Sequence, residues 1–111
     1  MRNLEQYGTL NGEEATELIR NLNGQPLVLS FAASWAGMSE VMDNYFRELA
    51  LKYSGKVRFA RVDVDKSKQF ANSYGIRKVP TFIIFYEGEI TDHFEGAVSR
   101  TTIIDTINTL I

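Results

Sequence analysis

The run Leu27-Val28-Leu29-Ser30-Phe31-Ala32 constrains this chain more than any other segment, because it is apolar at every position but one. A continuous apolar stretch of that length suits a strand covered on both faces. Such a strand needs helices above and below it, and the flanking sequence supplies them. Asn11 can cap a first helix, with Glu14 three residues on as its capping-box partner. Ala15, Leu18, Ile19 and Leu22 then share one helical face. Asn23-Gly24-Gln25-Pro26 breaks that helix before the apolar run begins.

After a loop from Ala33 to Gly37, apolar residues return at three-four spacing: Met38, Val41, Met42, Tyr45, Phe46, Leu49, Ala50 and Tyr53. Glu40, Asp43, Arg47, Glu48 and Lys52 fill the polar positions between them, so this segment reads as a long amphipathic helix. Glu40 and Asp43 near its start and Lys52 near its end complement the helix dipole, and Ser54-Gly55 ends it. Val57 to Val64 reads as a second strand, and Lys66 to Ser73 as a short helix with Phe70, Ala71 and Tyr74 facing inward. Thr81 to Tyr86 is a third apolar strand. Glu87-Gly88 turns it into a hairpin partner, Glu89 to Phe94. Ser99 caps a last helix that turns Ile103, Ile104, Ile107 and Leu110 inward.

Alternating strands and helices predict an α/β protein whose sheet is mostly parallel, with helices on both faces; the hairpin adds an antiparallel edge and makes the sheet mixed. Ligands in such sheets bind beyond the carboxyl ends of the strands. That places a site at Ala33 to Ser39. The 111 residues suit one domain spanning 1–111. No apolar run approaches the ~20 residues of a membrane helix, and the first ten residues lack the apolar block of an export signal. A cytoplasmic setting is expected. A net charge of −2 is not the positive field that nucleic acid requires. No partner of that kind, and no membrane, is expected.

The decisive count is zero cysteines, with His93 the lone histidine. Disulfides, thiolate nucleophiles and cysteine metal sites are excluded. No metal and no cofactor is expected.

Phe31-Ala32-Ala33-Ser34-Trp35-Ala36-Gly37-Met38-Ser39 resembles the active-site segment of thioredoxins, where the tryptophan precedes Cys-Gly-Pro-Cys. Tyr74 to Phe82 resembles the family segment that carries a cis-proline, Phe85 to Glu89 its hairpin, and Gly96-Ala97 its late glycine loop. The resemblance implies a thioredoxin-like fold: a central mixed β-sheet with helices on both faces and a C-terminal β-hairpin plus helix. It also implies that Pro80 is cis, and that Trp35, Gly37, Met38, Val64, Val79, Pro80 and Gly96 dock an extended polypeptide through main-chain hydrogen bonds.

Several positions depart from the family pattern. The redox cysteines correspond to Ala36 and Ser39. A methyl group attacks nothing, and a serine hydroxyl cannot form a reversible two-electron couple. Where the family usually buries an acid, this chain has Ser30, read as a buried hydroxyl satisfied by backbone. Asn44 replaces a helix-kinking proline, which suits a straighter helix. Arg61, mid-strand, is expected to snorkel to solvent, and His93 to be a solvated strand residue. Asp63 and Asp65 read as solvent-facing or helix-capping. Glu95 puts a carboxylate where thioredoxins more often have an apolar residue, and would disfavour acidic or purely apolar partners.

The sequence supports a redox-inactive, thioredoxin-like polypeptide-binding protein acting as an adaptor, holdase or complex subunit. The alternative is a protein-disulfide reductase, served by thioredoxin reductase, whose two cysteines have been replaced by Ala36 and Ser39.

Overall fold

A computed structural model describes residues 7–111. Nine elements follow in order: β1 (Tyr7–Leu10), α1 (Gly12–Arg20), β2 (Leu27–Ala32), α2 (Gly37–Lys52), β3 (Arg58–Asp63), α3 (Lys68–Ser73), β4 (Thr81–Tyr86), β5 (Glu89–Glu95) and α4 (Arg100–Asn108). The caps read from the sequence are present. The Asn11 side chain accepts from the Glu14 N–H at 2.8 Å, while Glu14 accepts from the Asn11 N–H at 2.9 Å. Ser99 accepts from the Thr102 N–H at 3.1 Å. The first five residues and Gln6, which carry most of the segment judged for an export signal, lie outside the described part. No helix among the described residues is long and apolar enough to cross a membrane.

The strand order is β1-β3-β2-β4-β5. The pairs β1–β3 and β2–β3 are parallel, while β2–β4 and β4–β5 are antiparallel. The sheet is therefore mixed, as expected, but it is not mostly parallel. Helix α3 explains why. Its six residues span only ~9 Å at 1.5 Å per residue, too little to carry the chain back along β3. The chain re-enters the sheet at the end where it left: Ala32 lies opposite Asp63, and Phe31 opposite Thr81. Strand β1 is an addition to the sequence reading, which left Tyr7–Leu10 without an element.

Strand alternation sorts the core into two layers. Val28, Phe59, Phe82 and Ile84 pack under α2 and α4 with Phe46, Leu49, Ile103 and Ile107. Leu27, Leu29, Phe31, Ala60, Val62 and Ile83 pack on the other face with Ala15 of α1 and Ala71 of α3. All six residues of β2 are buried, as its composition requires. Phe46 is the hub of the first layer, with ring centroids 4.9, 5.9 and 6.0 Å from those of Phe82, Tyr7 and Phe59. Truncating it removes a fully buried ring shared by α2, β1, β3 and β4. Phe46→Ala is expected to lower unfolding free energy by about 4 kcal/mol, read as a fall in the urea midpoint at unchanged slope. A loss below about 1 kcal/mol would mean that the layer repacks.

Candidate functional site

The site lies at the end of the sheet where β2 and β3 finish and β4 begins. β2 delivers the chain into Ala33 and Ser34, which turn it into α2. Ala36 is the N-cap residue of α2 and makes no side-chain cap; only backbone closes the turn, Ser39 N–H to Ala36 C=O at 2.9 Å. A cysteine here would sit where a helix N-terminus favours thiolate; the methyl of Ala36 has no proton to lose. Ser39 is buried, with its Oγ 3.4 Å from the Ala33 N–H. Among the described residues no base lies within hydrogen-bond reach of it, and it serves as a local tie.

Trp35 is 67% exposed. Its indole Nε1–H donates to Asp65 Oδ2 at 2.7 Å, which fixes the ring over the loop after β3. Asp65 is exposed, caps no helix, and lies in the turn that follows the strand. Asp63 caps no helix but closes the turn after β3: its Oδ1 accepts from the N–H groups of Asp65 at 2.8 Å and Lys66 at 3.2 Å, while α3 begins at Lys68.

The Val79–Pro80 bond is cis. The Pro80 carbonyl accepts from the Gly96 N–H at 2.7 Å, joining the late glycine loop to the proline. Gly96 has φ +83°, a left-handed conformation that suits glycine. Trp35, Val64 and Val79 line one groove of about 240 Å³, together with Ile76, Lys68, Arg77 and Lys78. The structure thus gathers Trp35, Val64 and Val79 and sets Pro80 and Gly96 beside them. Gly37 and Met38 open α2 next to Ala36 but do not line that groove; Met38 is 46% exposed. A larger cleft of about 980 Å³ between α1 and α3 contains none of the candidate site residues; the capping pair Asn11 and Glu14 lies on its wall. No group of three or more metal-ligating side chains exists among the described residues.

Two further departures concern charge. His93 is exposed, with Nε2 4.0 Å from Glu95. The Glu95 carboxylate also takes an ion pair from Arg77 at 3.2 Å, so its charge is met at close range.

The third is the largest surprise of the site. Register places Thr9, Arg61 and Ser30 side by side across β1, β3 and β2. Asp43 of α2 lies over that row, one helical turn beyond Ser39. Arg61 Nε meets Asp43 Oδ2 at 3.1 Å, with the two side chains only 17% and 10% exposed. The Arg61 guanidinium also donates to Thr9 Oγ1 at 3.3 Å, and the Tyr7 hydroxyl donates to Asp43 Oδ1 at 2.7 Å. Arg61 does not snorkel to solvent, because a buried carboxylate holds it. Ser30 is buried beside Arg61 in that row. Burial first, and the Asp43 charge second, hold the Tyr7 phenol far above the usual tyrosine range. The chain thus has a buried acid behind its site, delivered from the helix instead of from β2.

These features together define an α/β protein with a groove beside a cis-proline at one end of a mixed sheet. The profile of the family described as Thioredoxin matches residues 6–109. "Thioredoxin M-type, chloroplastic" of Brassica napus is 38% identical over 84 residues, which is 76% of this chain and 48% of that protein. "Thioredoxin 1" of Nostoc sp. is 37% identical over 82 residues, covering 74% of this chain and 77% of that one. The chain spans about half the length of the chloroplast relative. The X-ray structure of Fasciola hepatica thioredoxin superposes with a TM-score of 0.85 at 28% identity, covering 95% of this chain and 99% of the other. The chain belongs to the thioredoxin family.

The buried set behind the site makes two checkable statements. Asp43→Ala leaves Arg61 and Tyr7 buried with an unmet charge and an unmet hydroxyl. It is expected to cost about 3 kcal/mol, a fall of about 10 °C in Tm; a change under 2 °C would contradict the pairing. The Tyr7 shift also sets a sign. A folded-state pKa above the unfolded value near 10 means that this contribution is full below about pH 10 and is lost as pH rises through the unfolded value and on towards the folded one. Ultraviolet titration should show a tyrosine that stays protonated until alkaline unfolding, and that signal should vanish in Tyr7→Phe.

Proposed function

We propose that this chain uses the thioredoxin site to hold extended polypeptide without exchanging electrons, as an adaptor, a holdase or a subunit of a complex. The observation that carries the reading is the absence of any cysteine in the whole chain, beside a groove whose contact residues are kept. Disulfide reduction needs one thiolate to attack and a second thiol to resolve the mixed disulfide. Ala36 and Ser39 offer neither. What stays is a recognition surface: the pinned indole of Trp35, the apolar Val64 and Ile76, and the backbone of Val79. Among the described residues no hydrogen bond uses that backbone. An unpaired segment of main chain beside an apolar groove can receive a strand-like peptide, with main-chain bonds giving affinity and side-chain pockets giving selectivity. Gly37, Met38, Pro80 and Gly96 complete the surface in this proposal, and the setting is cytoplasmic.

The relatives support a second reading. The proteins matched above carry the name thioredoxin, and the fold, the cis-proline and the tryptophan rim are all present. A parent protein with cysteines at positions 36 and 39 would be a protein-disulfide reductase, with thioredoxin reductase as its electron donor. The codons at those two positions in the natural gene separate the readings: cysteine codons establish the second.

The chemical part of the proposal is tested by turbidity of insulin with dithiothreitol. The chain itself is expected to leave the background rate unchanged, and acceleration above background would overturn the argument from missing thiols. The Ala36→Cys, Ser39→Cys double variant is expected to accelerate it, because the scaffold then presents a thiol at the N-terminus of α2 with a second one three residues on. A double variant that folds and stays inert would show that the site has diverged beyond its sulfur.

A further inference from the structure

We infer that the groove beside Val79 selects an acidic extended polypeptide, one that places carboxylates over Lys68 and Lys78 and an apolar side chain between Trp35, Val64 and Ile76. The inference rests on the polypeptide-holding reading above and names the chemistry of its partner.

The charge distribution carries it. The chain as a whole is acidic, with a net charge of −2. The groove is not: Lys68, Arg77 and Lys78 all line it, and no carboxylate does. Two acidic groups stand close to it, each held by a residue of its lining. Asp65 accepts the Trp35 indole N–H at 2.7 Å, and Glu95 pairs with Arg77 at 3.2 Å. Lys68 and Lys78 are exposed and have no ion pair among the described residues. They come from different segments, Lys68 from the first residue of α3 and Lys78 from the loop before Pro80. The same lining includes the apolar Val64, Ala71 and Ile76 and the uncharged Asn72.

Positive groups rimming a partly apolar groove raise the local concentration of an anionic partner and penalise a cationic one. This is a preference of screened surface charges, so it acts on selectivity and fades with salt. The pairing of Glu95 with Arg77 removes the repulsion that the sequence reading assigned to Glu95. A peptide carboxylate passing Arg77 meets a neutralised pair, and meets bare cations at Lys68 and Lys78.

The test uses three extended peptides of about twelve residues that share one Val/Thr frame and contain no tryptophan. They carry Glu, Gln or Lys at the same four alternate positions. Trp35 is the protein's single tryptophan, so its fluorescence and its indole N–H resonance report on this groove alone. The Glu peptide is expected to bind about 5-fold or more tighter than the Gln peptide at low ionic strength, with the Lys peptide weakest. The preference should shrink towards parity in 0.5 M NaCl. In the Lys68→Glu, Lys78→Glu variant, whose changes are both on exposed side chains, the order should reverse. A Lys peptide that binds as tightly as the Glu peptide, or a Glu-peptide preference that survives the double charge reversal, would overturn the acidic selectivity while leaving polypeptide holding intact. If no peptide moves the Trp35 signals at any charge, the holding reading itself falls, and this inference falls with it.

Discussion

The buried contact between Asp43 and Arg61 ties together more of this molecule than any other single interaction. It joins α2 to β3, and through Tyr7 and Thr9 it reaches the edge strand β1. Because α2 begins at the site, the same contact sets how its first turn sits over the sheet. Taking two charges out of water is expensive, and such a pair holds only where geometry and added hydrogen bonds meet both partners. Here they do: the carboxylate takes Arg61 on one oxygen and the Tyr7 hydroxyl on the other. Ser30, where relatives of this fold are expected to carry their acid, is a buried neutral hydroxyl in the strand beside Arg61.

This arrangement separates two things that the family resemblance joins. The site of a redox thioredoxin needs a scaffold, a pair of thiols and a nearby buried acid. The present chain keeps the scaffold, has no thiol, and holds its acid on a different element in a fully occupied ion pair. A groove with a pinned indole, an unpaired stretch of main chain and a rim of lysines can recognise, and recognition needs no sulfur. One scaffold hosts many functions, so the atoms present at the site, and not the fold, decide what chemistry it can do.

Much of the fold was legible in the sequence because local signals agreed with one another. The apolar run of β2, the Asn11–Glu14 capping box, the three-four spacing of α2 and the Glu87-Gly88 turn each specify an element without help from distant residues. The loop at Ala33 to Ser39 was legible from its place beyond the end of an apolar strand, and the cis bond at Pro80 through the resemblance. Other features were not. β1 is four residues long with a glycine inside it, and it exists because β3 offers an unpaired edge. β4 runs antiparallel because α3 is too short to cross the sheet, a length that periodicity read two residues too long. Asp43 falls among the polar positions of an amphipathic helix, so its pattern says solvent. Only the fold reveals that β1 and Arg61 meet it there. The signal that could have found it was the arginine placed amid an apolar strand, which needs a counter-ion. Lys68, Arg77 and Lys78 are spread over eleven residues of chain and become one rim only after α3 and the following loop fold beside Trp35.

The most direct test of the central claim is a proton–nitrogen correlation titration of the protein with a reduced, carboxymethylated unfolded polypeptide, which has no free thiol to exchange. The account predicts binding, with shifts converging on the Trp35 indole and on the amides of Val79 and Gly96. Shifts centred on any other face, or none at concentrations where other holding proteins respond, would contradict it.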